Sequence, residues 1–168
     1  RVARKEDKRF ITGKGKYTDD IRMDNQAYAA FVRCPVAHAK INGIDSSAAM
    51  AMEGVIAVHT GPEMKADEIG DIITGWSITS KDGSPMQCGV WNPMVTTYGR
   101  YVGDAVAVVV AETQEIARAA AEVVELDYEE LPAVAATAAA RTDGAPPVRE
   151  SVPGSLIFNW EIGDEAKA

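Results

Sequence analysis

The sequence predicts one α+β domain: a mixed sheet, two or three helices and an extended C-terminal strap. Three observations predict it. The 168 residues are near the commonest size for one domain, and 46% hydrophobic with 25% charged content is ordinary for a chain that buries a core. Several apolar runs have the length of strands and end at turn residues. One stretch, after Thr113, repeats its apolar residues at helical spacing instead.

The elements follow in order. Ala27 to Val32 reads as a mostly buried strand, ended by Pro35, which cannot donate to a ladder. A second strand is expected over Ala39 to Ile44. Asp45 or Ser46 caps a short helix, Ser47 to Met52, and Gly54 suits its stop. Val55 to Val58 is the third strand, closed by Gly61-Pro62. Residues 63–97 are punctuated by Gly70, Gly75, Gly83, Pro85, Gly89 and Pro93, which predicts loops with a short strand around Asp71 to Thr74. Ala105 to Ala111 is a buried strand by length and valine content. Thr113 caps the following helix, whose Ile116, Ala117, Ala120, Val123 and Val124 share one face. Leu126 and Tyr128 then alternate with Asp127 and Glu129, as in a half-buried strand. This strand–helix–strand unit is expected at the centre of the core. Ala133 to Ala140 favours a further short helix. From Thr142 onward Asp143-Gly144, Pro146-Pro147 and Pro153-Gly154 break regular structure, while Leu156, Ile157, Phe158 and Trp160 need a surface to cover.

The net charge of -8 argues against general nucleic-acid affinity, which needs a basic face. The longest apolar run, Ala105 to Ala111, is far short of the roughly 20 residues of a membrane span. The sequence opens at Arg1, not Met, and shows no leader pattern. Its two cysteines, Cys34 and Cys88, make no disulfide framework, so a reducing, cytoplasmic setting is expected. Residues 1–16 carry seven basic groups against Glu6 and Asp7, a net of +5 that leaves -13 for the rest. Such an arm folds back on the body, binds an acidic partner, or stays solvated.

Motifs that carry chemistry are few. Gly13-Lys14-Gly15 lacks the preceding strand, third glycine and following helix of a dinucleotide loop, and Asp19-Asp20 would repel phosphate; a tight turn is the better reading. Cys34 and His38 have a metal-like spacing. An extended chain would hold their α-carbons about 13 Å apart, too far for one ion with ligands at about 2 Å. Glu129 and Glu130 point to opposite faces of a strand and cannot share a site. A Cys-His or Ser-His pair needs an adjacent base, and His38 and His59 are the only histidines. No catalytic, cofactor-binding or metal-ligating residue is therefore assigned.

Several phrases nonetheless resemble one family. They are Arg4-Lys5-Glu6-Asp7 through Arg9-Phe10-Ile11-Thr12-Gly13-Lys14-Gly15-Lys16-Tyr17-Thr18-Asp19-Asp20; Ala30 through Ile41; Gly54 through Gly61; Arg100-Tyr101-Val102-Gly103-Asp104-Ala105 through Thr113 with Val124 to Pro132; and Trp160-Glu161-Ile162-Gly163-Asp164. In this order they resemble the N-terminal α/β hammerhead domain of the molybdenum-cofactor large subunit in the xanthine dehydrogenase, aldehyde oxidase and carbon monoxide dehydrogenase family. The short opening resembles the bacterial carbon monoxide dehydrogenase-like branch most. Cys34, Asp104 and Arg149 stand where that family usually has a small hydroxyl residue, Glu or Gln, and His.

The resemblance implies an α+β hammerhead fold and a structural role in an oxidoreductase that hydroxylates carbon or oxidises carbon monoxide at molybdenum. It implies a molybdopterin-type cofactor held by the rest of the large subunit, with [2Fe-2S] clusters and FAD in partner subunits or domains. The family's catalytic Glu and pterin loops lie downstream of this region, so no residue role is carried over. The expected division is a basic arm at 1–20, the hammerhead domain at 21–141 and a strap at 142–168 that leads into the cofactor-binding domain. Expected partners are the rest of the large subunit, the iron–sulfur and flavin subunits, and a possible second copy, with neither nucleic acid nor a membrane span. Two rival readings stand beside it: a stand-alone interaction module, and a small nucleotide-binding enzyme using Gly13 to Gly15.

Overall fold

The computed structural model describes residues 4–163. Arg1, counted in the basic arm, and Asp164, last of the family-like residues, lie outside them. The arm begins with a short helix, α1 (Asp7–Ile11), and a 3-10 turn, Thr18–Asp20. The strands are β1 (Tyr28–Arg33), β2 (Ala39–Asp45), β3 (Val55–Thr60), β4 (Tyr98–Gly99), β5 (Ala105–Ala111) and β6 (Glu125–Glu130). Between and after them lie α2 (Ser47–Met50), α3 (Gly61–Ala66), α4 (Gln114–Glu122) and α5 (Thr137–Ala140), with a second 3-10 turn at Pro153–Ser155.

The α+β class holds, but the single mixed sheet is replaced by two antiparallel sheets of three strands, ordered β1-β5-β3 and β4-β2-β6. The strand–helix–strand unit explains why. In a mixed sheet the α4 crossover would return β6 parallel and close to β5. Both edges of β5 are already occupied, by β1 (Phe31 opposite Val108) and by β3 (His59 opposite Val108). β6 instead pairs with β2, with Ile44 opposite Leu126. The unit therefore bridges the sheets, and only its β5 and α4 parts are central.

α4 lies across one face of the first sheet because Thr113 caps it, accepting a hydrogen bond from the Ile116 N–H at 3.2 Å, and because Ala117 and Ala120 are fully buried. Small residues let the helix approach Val32, Ala107 and Val109. A second cluster, Cys34, Ala39, Val95 and Val106, fills the space toward the other sheet. Ile44 and Leu126 pack on both clusters and join them.

Several boundaries shift. α2 ends at Met50 rather than Met52, and Asp45 supports its start by accepting the Ser47 N–H at 2.9 Å. α5 is shorter than the alanine run suggests. No strand forms over Asp71 to Thr74, where the Ile72 N–H donates once to the Trp91 carbonyl. α3 stands where the sequence predicts a closing Gly61-Pro62 turn and a loop from residue 63. Its signal was present: Thr60 and Glu63 cap one another reciprocally and Pro62 sits in the first turn.

The strap does not stand away from the domain. The Lys81 and Gln87 N–H groups donate to the Asn159 and Ile157 carbonyls, each at 2.8 Å, and the Asn159 N–H donates to Ser80 Oγ. Val152 is buried, yet Leu156, Ile157, Phe158 and Trp160 stay between 37% and 54% exposed. Paired backbone thus holds the strap on residues 80–87 while its apolar side chains remain largely uncovered.

Candidate functional site

The residues Tyr98 to Asp104 turn the chain from β4 into β5. Asp104 Oδ2 accepts the Arg100 N–H at 3.0 Å, and Gly103 adopts φ +93°, which suits the turn to glycine. The turn is tied to the end of β1: the Cys34 N–H donates to the Asp104 carbonyl, the Gly103 N–H to the Cys34 carbonyl, and Arg33 Nη1 to the Gly103 carbonyl, all at 2.8 Å. Against this turn lie the loop 87–96 and the strap around Arg149 and Val152. The three segments enclose an open cavity of about 260 Å³.

Its walls are mainly apolar, from Val90, Trp91, Met94, Val95 and Val152, with Arg100 and Arg149 as the cationic groups and Asp104 as the anionic one. Arg149 lies over the Trp91 ring at 5.5 Å and donates through Nη1 to the Val90 carbonyl. Arg100 lies 5.7 Å from the Tyr98 ring and donates through Nη1 to the Tyr98 carbonyl at 3.0 Å. Its Nε is buried without a hydrogen-bond partner. Burial, and then the positive charge of Arg149, hold the Arg100 pKa below the usual arginine value, against an opposing pull from Asp104. Burial first, and then Asp104, push the Tyr101 hydroxyl upward.

The arrangement can bind and position but offers no nucleophile with its base. Cys34 is buried in the second core cluster and donates from Sγ to the Val36 carbonyl at 3.3 Å. His38 holds the Pro132 carbonyl through Nδ1 at 3.0 Å, and His59 lies on β3 in the other sheet. Gly13 takes φ +68° in the turn after α1, with its N–H and that of Lys14 returning to the Phe10 and Arg9 carbonyls. A helix, not a strand, precedes this turn. Asp20 caps its own 3-10 turn through the Tyr17 N–H at 2.8 Å, and Glu129 and Glu130 are both exposed. Among the described residues no three His, Cys, Asp or Glu side chains are placed to share a metal ion. This donor set does not fit a molybdenum centre. The sequence marks Arg100 within a family-like phrase and Arg149 as a departure from the family's usual His, but nothing periodic links residues that far apart, so their shared cavity is legible only in the fold.

The chain matches the sequence profile described as "Aldehyde oxidase and xanthine dehydrogenase, a/b hammerhead domain" over residues 12–132. It is 40% identical to the nicotine 6-hydroxylase large subunit of Paenarthrobacter nicotinovorans, over 98% of this chain and 18% of that subunit. It is 34% identical to the carbon monoxide dehydrogenase large chain of Hydrogenophaga pseudoflava, over 99% of this chain and 21% of the relative. Among solved structures, the reconstituted CO dehydrogenase from Oligotropha carboxidovorans superposes with a TM-score of 0.77 at 33% identity, over 99% of this chain and 21% of that one. The chain thus spans about one fifth of the length of these relatives.

Proposed function

The chain belongs to the aldehyde oxidase and xanthine dehydrogenase a/b hammerhead family, and we propose that it is a framework domain of a molybdenum hydroxylase-type large subunit. In this reading it docks against the cofactor-bearing remainder of that subunit and contributes no reacting group. The molybdopterin-type cofactor is held by the remainder, with [2Fe-2S] clusters and FAD in partner subunits or domains. The complex is cytoplasmic and oxidises a small carbon substrate with oxygen taken from water. Among the described residues no helix is long and apolar enough to cross a membrane.

One observation carries the proposal: the first sheet is fully covered on one face, while on the other only the Val106 end is buried, in the second cluster, and the rest is partly open to water. α4 and the Val32, Ala107 and Val109 side chains fill one face. On the other, Phe31 and His59 flank Val108 in one row, and Ala29 and Ala57 flank Val110 in the next. Phe31 is 50% exposed, and Ile56 at the neighbouring bulge is 55% exposed. An apolar sheet face left to water marks an interaction surface, and the large absent remainder of such a subunit is a natural cover.

The test is metal and pterin analysis of two preparations, the full-length product of the natural reading frame and this chain alone. The full-length protein is expected to carry molybdenum and pterin, and this chain neither. Stoichiometric molybdenum or pterin on this chain, or none in the full-length protein, would overturn the reading.

A further inference from the structure

We propose that Arg100 and Arg149 form a receptor for one carboxylate, the side chain of an Asp or Glu in the part of the large subunit outside residues 1–168. The proposal rests on the framework reading above and gives one of its contacts a chemistry.

Both guanidinium groups border the same cavity. Each is held by an aromatic ring and by one carbonyl: Arg100 by Tyr98 and its carbonyl, Arg149 by Trp91 and the Val90 carbonyl. A guanidinium carries five N–H donors in a fixed plane and accepts nothing. Most of these donors are therefore left for a ligand, and the Arg100 Nε, already out of water, has no partner. Neither arginine has a carboxylate within salt-bridge distance among the described residues, where the one ion pair is Lys81 with Glu161. Two carboxylates are near without pairing with either guanidinium: Asp104 borders the same cavity, but its Oδ2 accepts the backbone N–H of Arg100 and serves the turn, and the exposed Glu150 borders the adjoining cavity.

Two like charges facing one partly apolar cavity repel each other, and burial raises the cost of each. A negative group between them removes both effects. The chain as a whole is strongly acidic, so a cationic corner selects an acidic partner group against the general charge. A carboxylate matches the planar donor pairs of arginine. The apolar walls, Val90, Trp91, Met94 and Val152, suit the methylene stem that carries it. Relatives of this chain are about five times its length, which supplies a source on the same polypeptide.

The experiment uses the full-length subunit. Arg100→Gln, Arg149→Gln and the double variant are prepared, and thermal midpoints are read at low and high salt, with and without inorganic phosphate. Expected is a loss of several degrees in each single variant, little further loss in the double variant because both arginines serve one group, and smaller losses at high salt. Arg149→Gln, on an irregular turn, keeps the test alive if Arg100→Gln does not fold. A structure of the same protein is expected to place an Asp or Glu oxygen from beyond residue 168, or from before residue 1, within hydrogen-bond distance of both arginines. Additive, salt-independent losses would mean packing alone and overturn the proposal. So would a structure with phosphate, water or a residue of 1–168 between the two groups, or stabilisation of the wild type by inorganic phosphate that the double variant lacks. A full-length protein loaded with molybdenum but lacking that carboxylate sinks this inference and leaves the framework reading intact.

Discussion

Gly61 shows how much one residue decides here. It opens α3 directly after β3, and a β-carbon built on it would lie 1.9 Å from the Val95 carbonyl oxygen, itself backbone and unable to step aside. Gly61→Ala is expected to destabilise the fold by about 2–3 kcal/mol, the upper range for overpacking. Urea denaturation checks it, and an unchanged midpoint would contradict the contact. Gly54 is demanding for a second reason, since its φ of +83° ends the α2 turn in the left-handed region. The two free cysteines differ in access. Cys34 is 1% exposed, whereas Cys88 is half-buried beside the cavity. In the native chain a maleimide is expected to label Cys88 alone, and denaturation without reductant to yield both of the two thiols in the sequence. Rapid native labelling of Cys34 would show that its pocket opens readily.

At the scale of elements, caps and edges matter more than propensity. α4 is short, so its docking depends on a start fixed by the Thr113 hydroxyl. Loss of such a cap typically costs about 1 kcal/mol, and Thr113→Ala should show it in thermal or chemical denaturation, with Thr113→Ser restoring most of it. The strap is held differently, by backbone hydrogen bonds to residues 80–87 and by Val152, 4% exposed. Val152→Ala is expected to speed hydrogen exchange at the Lys81 and Gln87 amides while β5 amides stay protected. Equal rates in variant and parent would mean that the strap is anchored elsewhere. Its exposed Leu156, Phe158 and Trp160 then remain available as a bridge to neighbouring structure.

At the scale of the whole molecule, charge and apolar surface are both unevenly spread. The described arm residues make no ion pair with the body, the one pair among the described residues being Lys81 with Glu161. The option of an arm neutralised by its own body is not seen there, and its positive charge faces outward. In the full complex, Arg4→Glu, Lys5→Glu and Lys8→Glu together are expected to weaken assembly at low salt and much less at high salt; unchanged assembly at low salt would leave the arm without that role. The sheet face predicts the reverse salt dependence. Phe31→Lys should weaken docking to the rest of the subunit at every ionic strength, since burying such a side chain is worth roughly 1.5–3 kcal/mol, while thermal stability of this chain alone hardly changes. The sequence by itself determined the local elements: β5 is found from Ala105 to Ala111 as read, the Thr113 cap holds, and the strands near residues 28, 39, 55 and 125 are all present, while the α4 face holds at Ala117 and Ala120 but not at Val123, which follows the helix and is exposed. These follow from periodicity, capping and turn chemistry, which act within a few residues. The tertiary structure alone decided which strands pair and which arginines meet. β5 has two edges and both were taken by β1 and β3, so β6 had to join β2. Arg100 and Arg149 came to share a cavity because the strap folded back across the turn after β4. Competition for strand edges and the path of a returning segment are properties of the whole chain, and no local pattern encodes them.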